Sequence, residues 1–391
     1  MAHVSGLLLI DCPASALNNA GSKLPMEKPD LVNDNWTATK KIRTAQGVFP
    51  YVSAQALRYW LRETLKGVQG WTASPVFREE KVAYTDADPI TYAEDDLFGY
   101  MRAPGGSGEE NINQKRQQWT EAGLTGVDTR GAGKEMKFEA LTRSSPFKMS
   151  TLISVAPLRS RDIGSDFGTM SRFDGDPVPF AHEFYRTTLV GLFSIDLGML
   201  GRFYHVDRTG YRHLDAIRRQ KAEARGLTSF DDNRAFELSM AERRARLAMV
   251  LEGLARLNGG AKQAIHYTDV APRFLLLAVA RGGNHLFGTA VGADKDGQPV
   301  INTAAIEEVA RVFSADRLSG FFAGLAKGYL DGQRAGLVTV LKDIDPSVLR
   351  GLAAGEAGAN DAVPAYDVPH PVEAIDLFTR QLEERADQWL A

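Results

Sequence analysis

Three pairs of carboxylates, Asp95/Asp96, Asp162/Asp166 and Asp231/Asp232, are of the type that holds divalent metal ions for phosphodiester chemistry. None has a His or Lys beside it at a diagnostic spacing, so all three read as caps, turns and solvated faces. The seven histidines are scattered, and the spacing of His205 and His213 matches no helical metal motif. No G-x-S-x-G elbow supports a serine nucleophile. The glycine runs Pro104–Gly108 and Gly282-Gly283 lack a Walker lysine and do not fit a dinucleotide fingerprint. The single cysteine, Cys12, sits in an apolar run, which excludes a disulfide framework or a cysteine zinc site within one chain and makes a reducing compartment the default. The expectation is a protein without catalysis, metal or nucleotide cofactor.

The cations point elsewhere. Lys40, Lys41 and Arg43 cluster just upstream of a helix start, where charge and the helix N-terminus together suit phosphate. Ser53 and Gln55 would add donors on the first turn, and Arg58 and Arg62 would line the same groove. The competing reading is a solvated charge run beside an ordinary N-cap. A second group lies in Pro157–Phe184, where Arg159, Arg161 and Arg172 alternate with Phe167, Met170 and Phe173. Arginines there could hold phosphates while an apolar tip wedges between bases; the alternative is a subunit-packing loop.

Total charge does not decide between these readings. The formal net charge is -3, which excludes a uniformly basic nucleic-acid binder. From Trp36 to Lys66 six basic residues face the single acid Glu63, whereas acids gather in Asp86–Asp96 and in the C-terminal third. That distribution predicts a basic groove with acidic outer surfaces, suited to packing against copies of itself around a polyanion.

The elements that must position these residues follow from periodicity. Val4–Cys12 reads as a buried strand and 18–39 as loop. A helix starts at Ser53, with Leu57, Leu61 and Leu65 on its core face. Residues 67–142 are irregular and read as an insertion without a core of its own. Met149–Val155 is a strand; 157–184 is a long polar loop; Tyr185–Leu197 returns from it as a strand, giving a hairpin with an extended tip. Met240–Leu257 is an amphipathic helix with a basic side, Phe274–Ala280 a strand, and Thr303–Phe313 and Val372–Leu390 are helices. Ala353–Pro369 reads as a linker. Without the insertions the order is βαββαβ, an α+β fold of the ferredoxin-like or RNA-recognition-motif-like kind. The start has too short an apolar stretch for a signal peptide, and no run approaches the roughly 20 apolar residues of a membrane span, so the chain reads as cytoplasmic.

Several blocks carry a family resemblance. Val4-Ser5-Gly6-Leu7-Leu8-Leu9-Ile10-Asp11 with Leu17-Asn18-Asn19-Ala20-Gly21, Lys40-Lys41-Ile42-Arg43, and Pro50 through Arg62 come first. Asp96-Leu97-Phe98-Gly99-Tyr100-Met101, Thr142 through Phe147, Ser165 through Met170, and His182-Glu183-Phe184-Tyr185-Arg186 follow in order. Together they resemble the crRNA-binding backbone subunits of CRISPR Cascade complexes (the RAMP superfamily), in their DevR-type, type I-B-like branch.

The resemblance implies a hand-shaped protein whose modified RNA-recognition-motif palm (1–66 and 143–391) carries fingers from 67–142 and a thumb from about 157–184. Copies would stack along guide RNA, beside other Cascade subunits, and present bases for pairing with target DNA. The implied RNA contacts are Asn19, Lys40, Lys41, Arg43, Ser53, Gln55, Arg58, Arg62, Arg143, Lys148, Arg159, Arg161, Phe167, Met170 and Arg172. The usual aromatic strand signature is missing, so binding should be to backbone and independent of sequence. Two alternatives stay open: a metal-dependent endoribonuclease of the same superfamily using a thumb aspartate among Asp162, Asp166, Asp174 and Asp176, and a generic single-stranded RNA binder.

Overall fold

The computed structural model describes residues 1–20, 36–169, 174–175, 179–206, 212–351 and 366–391. Strand β1 (Ala2–Ser15) is buried at every position from Val4 to Ile10, as expected for a strand covered on both faces. Next come the hairpin β2 (Lys41–Thr44) and β3 (Gly47–Val52), then helix α1 (Ala54–Leu65). Ser53 caps α1, its Oγ accepting from the Ala56 amide at 3.4 Å, and Leu57, Trp60, Leu61 and Leu65 form the buried face. Strands β4 (Leu152–Ser154), β5 (Ile163–Thr169) and β6 (Pro179–Asp196) follow. Helix α2 (Met240–Ala255) opens on a Ser239/Glu242 capping box. It leads to β7 (Phe274–Arg281), β8 (Phe322–Leu325) and the C-terminal helix α3 (Pro371–Trp389).

The main sheet runs β8-β7-β1-β6-β4-β3-β2 through antiparallel pairs. Its centre, β7-β1-β6-β4, joined by α1 and α2, is the βαββαβ core that the hydrophobic pattern predicts, so the α+β class is as expected. Helices α1 and α2 meet closely at Gly253, where a Cβ would fall 2.6 Å from Leu65 Cδ2. No described helix is long and apolar enough to cross a membrane.

Three expectations are corrected. The 67–142 region has a core of its own, with Tyr84, Tyr100, Ile112, Trp119, Val127, Phe138 and Leu141 buried together. The acids of 86–96 are not an outer surface: Asp86, Asp88, Glu94, Asp95 and Asp96 are all buried. The basic side of α2 is likewise turned inward, with Arg243 and Arg246 buried.

The 157–184 segment also differs from a loop. Strand β5 pairs with the first half of β6 from Ile163↔Tyr185 to Thr169↔Pro179, making a two-stranded ribbon. Glycine explains both the misreading and the structure. A Cβ on Gly164 would lie 2.3 Å from the Phe184 ring, and one on Gly168 would lie 2.6 Å from the Phe180 ring. The missing side chains let the two rings lie across the partner strand. The linker expected at 353–369 falls mostly outside the described residues, although Tyr366–Asp367 pairs with Arg350–Gly351.

Candidate nucleic-acid interface

The β2–β3 hairpin stands at the sheet edge and leads directly into α1, so one short stretch positions most of the first basic cluster. Arg43 and Gln55 are exposed and Lys40 is half-buried. Lys41 is turned into the protein: its ammonium pairs with Glu183 of β6, whose other oxygen accepts from the Thr39 amide at 3.0 Å and the Thr39 hydroxyl at 2.8 Å. The predicted phosphate contact at Lys41 is therefore corrected to an ion pair that ties the hairpin to the ribbon. Ser53 is occupied on both sides, its Oγ by the cap and its amide donating to Asn18 Oδ1 at 3.0 Å. Asn19 bridges Thr39 through the backbone, and its side-chain Oδ1 is buried with no hydrogen-bond partner among the described residues.

The expected arginine stripe on α1 is structural. Arg58 Nη1 donates to the Phe147 carbonyl at 2.7 Å, and Nη2 to the Phe98 carbonyl at 2.8 Å and Ser145 Oγ at 3.2 Å. Burial, with Arg62 beside it, pushes the Arg58 guanidinium down to about 10. Arg62 Nε donates to Glu94 at 3.0 Å, and its guanidinium lies 4.4 Å over the Phe98 ring. Both arginines hold the Asp96–Gly99 block against α1.

Arg143 is corrected most plainly. It is 2% exposed, pairs with Asp96, and donates to the carbonyls of Asp96 at 3.0 Å and of Met199 and Arg202 at 2.8 Å. Every donor faces protein, so Arg143 has none left for RNA.

The second group stays at the surface. Lys148, Arg159 and Arg161 are exposed. The Arg159 amide donates to Asp162 Oδ2 at 2.8 Å, and Nη2 donates to the Lys295 carbonyl at 3.0 Å, which docks the ribbon's approach on the 294–297 turn. Phe167 is 67% exposed on β5, and Phe180 is 38% exposed on β6. Directly paired residues of a ribbon share a face, so Phe167, opposite Ala181, and Phe180, opposite Gly168, present rings on opposite faces of neighbouring rungs. Met170, Arg172 and Phe173 lie outside the described residues. Sequence reasoning missed Phe180 and Arg186, an exposed residue that lines a small cleft with Asp11, Arg159, Asp162 and Asp296. The alternating Phe180, His182 and Phe184 were the available signal for Phe180.

Among the described residues no three His, Cys, Asp or Glu side chains are placed to hold a metal ion. Asp162 caps the Arg159 amide, and Asp166 is 66% exposed beside His182.

A ferredoxin-ordered antiparallel sheet extended by a ribbon with exposed aromatic residues on both faces defines an α+β protein. A model of the CRISPR-associated negative auto-regulator DevR/Csa2 family matches residues 14–283, and the chain belongs to that family. Two solved structures described as a CRISPR RNA-guided surveillance complex, one of them pre-nicking, are each 12% identical, with 97% of this chain and 99% of theirs covered and a TM-score of 0.44. No curated protein matches the chain.

Proposed function

We propose that this chain is a non-catalytic crRNA-binding backbone subunit of a type I CRISPR Cascade complex, polymerising along guide RNA and presenting it for pairing with target DNA in the cytoplasm. Adjacent copies and other Cascade subunits are its protein partners. The carrying observation is the ribbon β5–β6, which has arginines at its base and exposed aromatics on both faces. Such a ribbon can enter a single strand and stack bases on either side, while Arg159, Arg161, Lys40 and Arg43 hold phosphates. Family membership supports the same reading. On it, 67–142 serves as fingers and about 157–184 as thumb. The ring contacts of Phe167 and Phe180 are to base faces and so tolerate any sequence.

The test is purification with a co-expressed repeat array and neighbouring subunits, followed by sequencing of bound nucleic acid. Intact guide-length RNA in particles holding several copies of the chain is the expected result. RNA cut at regular steps in magnesium, and rescued by Asp166→Ala, would instead establish the endoribonuclease. Particles without RNA would overturn both.

A further inference from the structure

Tyr267 occupies a backbone position that suits glycine. Its φ of 30° and ψ of 64° lie in the left-handed region, where a Cβ crowds the carbonyl that follows. Glycine is the default at such a position, with Asn and Asp next. Here an aromatic residue stands instead, and it is 90% exposed. Lys262, which opens the short helix Gln263–His266 just before it, is also left-handed, at φ 57°. Ile265, between the two, is 56% exposed. Burial therefore does not explain why these apolar side chains sit on a strained turn.

The turn is held rigidly. Gln263 Oε1 accepts from the Thr268 amide at 2.9 Å, and its Nε2 donates to the Thr268 carbonyl at 3.0 Å and to the Gly259 carbonyl. The Tyr267 amide donates to the Gln263 carbonyl at 2.9 Å, and the Ala261 amide to the Leu17 carbonyl at 3.0 Å. The Ser15 and Thr268 hydroxyls meet at 2.6 Å. These bonds fasten both ends of the turn to β1 and the chain that follows it. The surrounding palm thus imposes the strain at Tyr267, as is common where a side chain is kept for binding.

Its place beside the ribbon indicates what the ring would bind. Alternate residues of a strand share a face, so Phe180, His182 and Phe184 lie along one face of β6. His266 ends that row. Its imidazole lies 5.0 Å from the His182 ring and 5.1 Å from the Phe184 ring between centroids, with the two Nε2 atoms 3.0 Å apart. Tyr267, the next residue, stands in solvent where the row meets the palm. The carboxylate on this face, Asp166, is opposite His182 in the register and exposed. It repels phosphate, so the face suits bases whose backbone runs elsewhere. Ile265 and Tyr267 make a spot far smaller than a stable interface between folded chains needs, and large enough for one base.

We propose that Tyr267 is a fixed stacking platform at the root of the ribbon, which takes one nucleobase of single-stranded RNA on the face that Phe180 opens. It rests on the RNA-binding reading above and adds to it a base contact in the palm.

The experiment is fluorescence anisotropy of a labelled uniform pyrimidine strand with the full chain, at several salt concentrations. Tyr267→Gly removes the ring and suits the backbone, so it should hold or raise the urea midpoint. The same variant should weaken RNA binding about 5- to 150-fold, the range for one stacked base. Its salt slope should stay as in the wild type, because no phosphate contact is lost. Tyr267→Phe keeps the ring and should bind as the wild type does. Irradiation of a 5-iodouridine strand on the wild type should crosslink the peptide that carries Tyr267, and crosslinks to ribbon peptides alone overturn the platform. Full affinity in Tyr267→Gly while Phe180→Ala weakens binding also overturns it and leaves the ribbon reading standing. A wild-type chain that does not bind the strand overturns both. If Tyr267→Gly changes the sedimentation of the RNA-free chain, the ring is a contact between copies and the platform is overturned.

Discussion

Arg246 of α2 donates to Oδ2 of Asp96 at 2.8 Å, across 150 positions of sequence. The same carboxylate takes Arg143 on Oδ1 and the Gly201 amide at 3.1 Å on Oδ2. A parallel set joins Asp86 to Arg102 at 3.1 Å, and Arg218 to Asp215 at 2.9 Å. Asp96, through Arg143, Arg246 and Gly201, and Asp86, whose Oδ1 lies 3.6 Å from Arg218 Nη2, tie the 67–142 region to the rest of the chain by buried charge.

Asp96→Ala should therefore be severe. It leaves the buried guanidinium groups of Arg143 and Arg246 without their carboxylate, a loss of about 3–5 kcal/mol. Arg219→Ala, which breaks an exposed pair with Glu223 on one helix face, should change stability by at most about 0.5 kcal/mol. Urea midpoints at constant m-value check both, and a mild Asp96→Ala would mean the network is dispensable.

Acid should destabilise the fold through His213. Its imidazole is buried, its Nδ1 accepts from the Tyr204 amide at 3.1 Å, and burial, with Arg143 adjacent, pushes it down to about 2. An unfolded histidine titrates near 6.5, so below that the unfolded chain takes a proton that the folded chain refuses. The stability contribution is complete above pH ~6.5 and falls as pH drops toward 2, at most about 1.4 kcal/mol per unit. His213→Asn keeps an acceptor and has no proton to gain. The difference in urea midpoint between pH 7.5 and 5 should shrink in that variant.

Salt dependence separates the basic residues by role. Lys40→Ala with Arg43→Ala should weaken binding equally for all RNA sequences and flatten the salt slope by roughly 0.7 per lost single-strand phosphate contact. Lys41→Ala should leave the slope unchanged and loosen the hairpin instead, because its charge already faces Glu183. A slope unaltered by the double variant would remove the β2–β3 edge from the groove.

The pairing of Lys41 with Glu183 marks where the sequence stopped being legible. Spacing exposed Leu57, Leu61 and Leu65 as a core face, and continuous hydrophobicity exposed β1, because those signals are local. Charge did not announce its destination. Asp96 looks like any surface acid until Arg143 and Arg246 arrive from far along the chain. The ribbon was hidden for a related reason. Gly164 and Gly168 read as loop residues, and only the cross-strand register shows that Phe184 and Phe180 need those gaps.

That register gives the last prediction. Gly168→Val puts a branched side chain where the Phe180 ring lies, with its Cβ about 2.6 Å from the ring, so the ring must lift from the ribbon. If Phe180 stacks on a base, Gly168→Val should weaken RNA binding nearly as much as Phe180→Ala, a loss of about 1–3 kcal/mol per stacked base. Phe167→Ala should cost a similar amount on the opposite face, and the two losses should add if the rings grip different bases. Filter binding with a uniform pyrimidine strand measures all three. Full affinity in Phe180→Ala and Phe167→Ala together would leave the ribbon without a stacking role and return RNA binding to the palm edge alone.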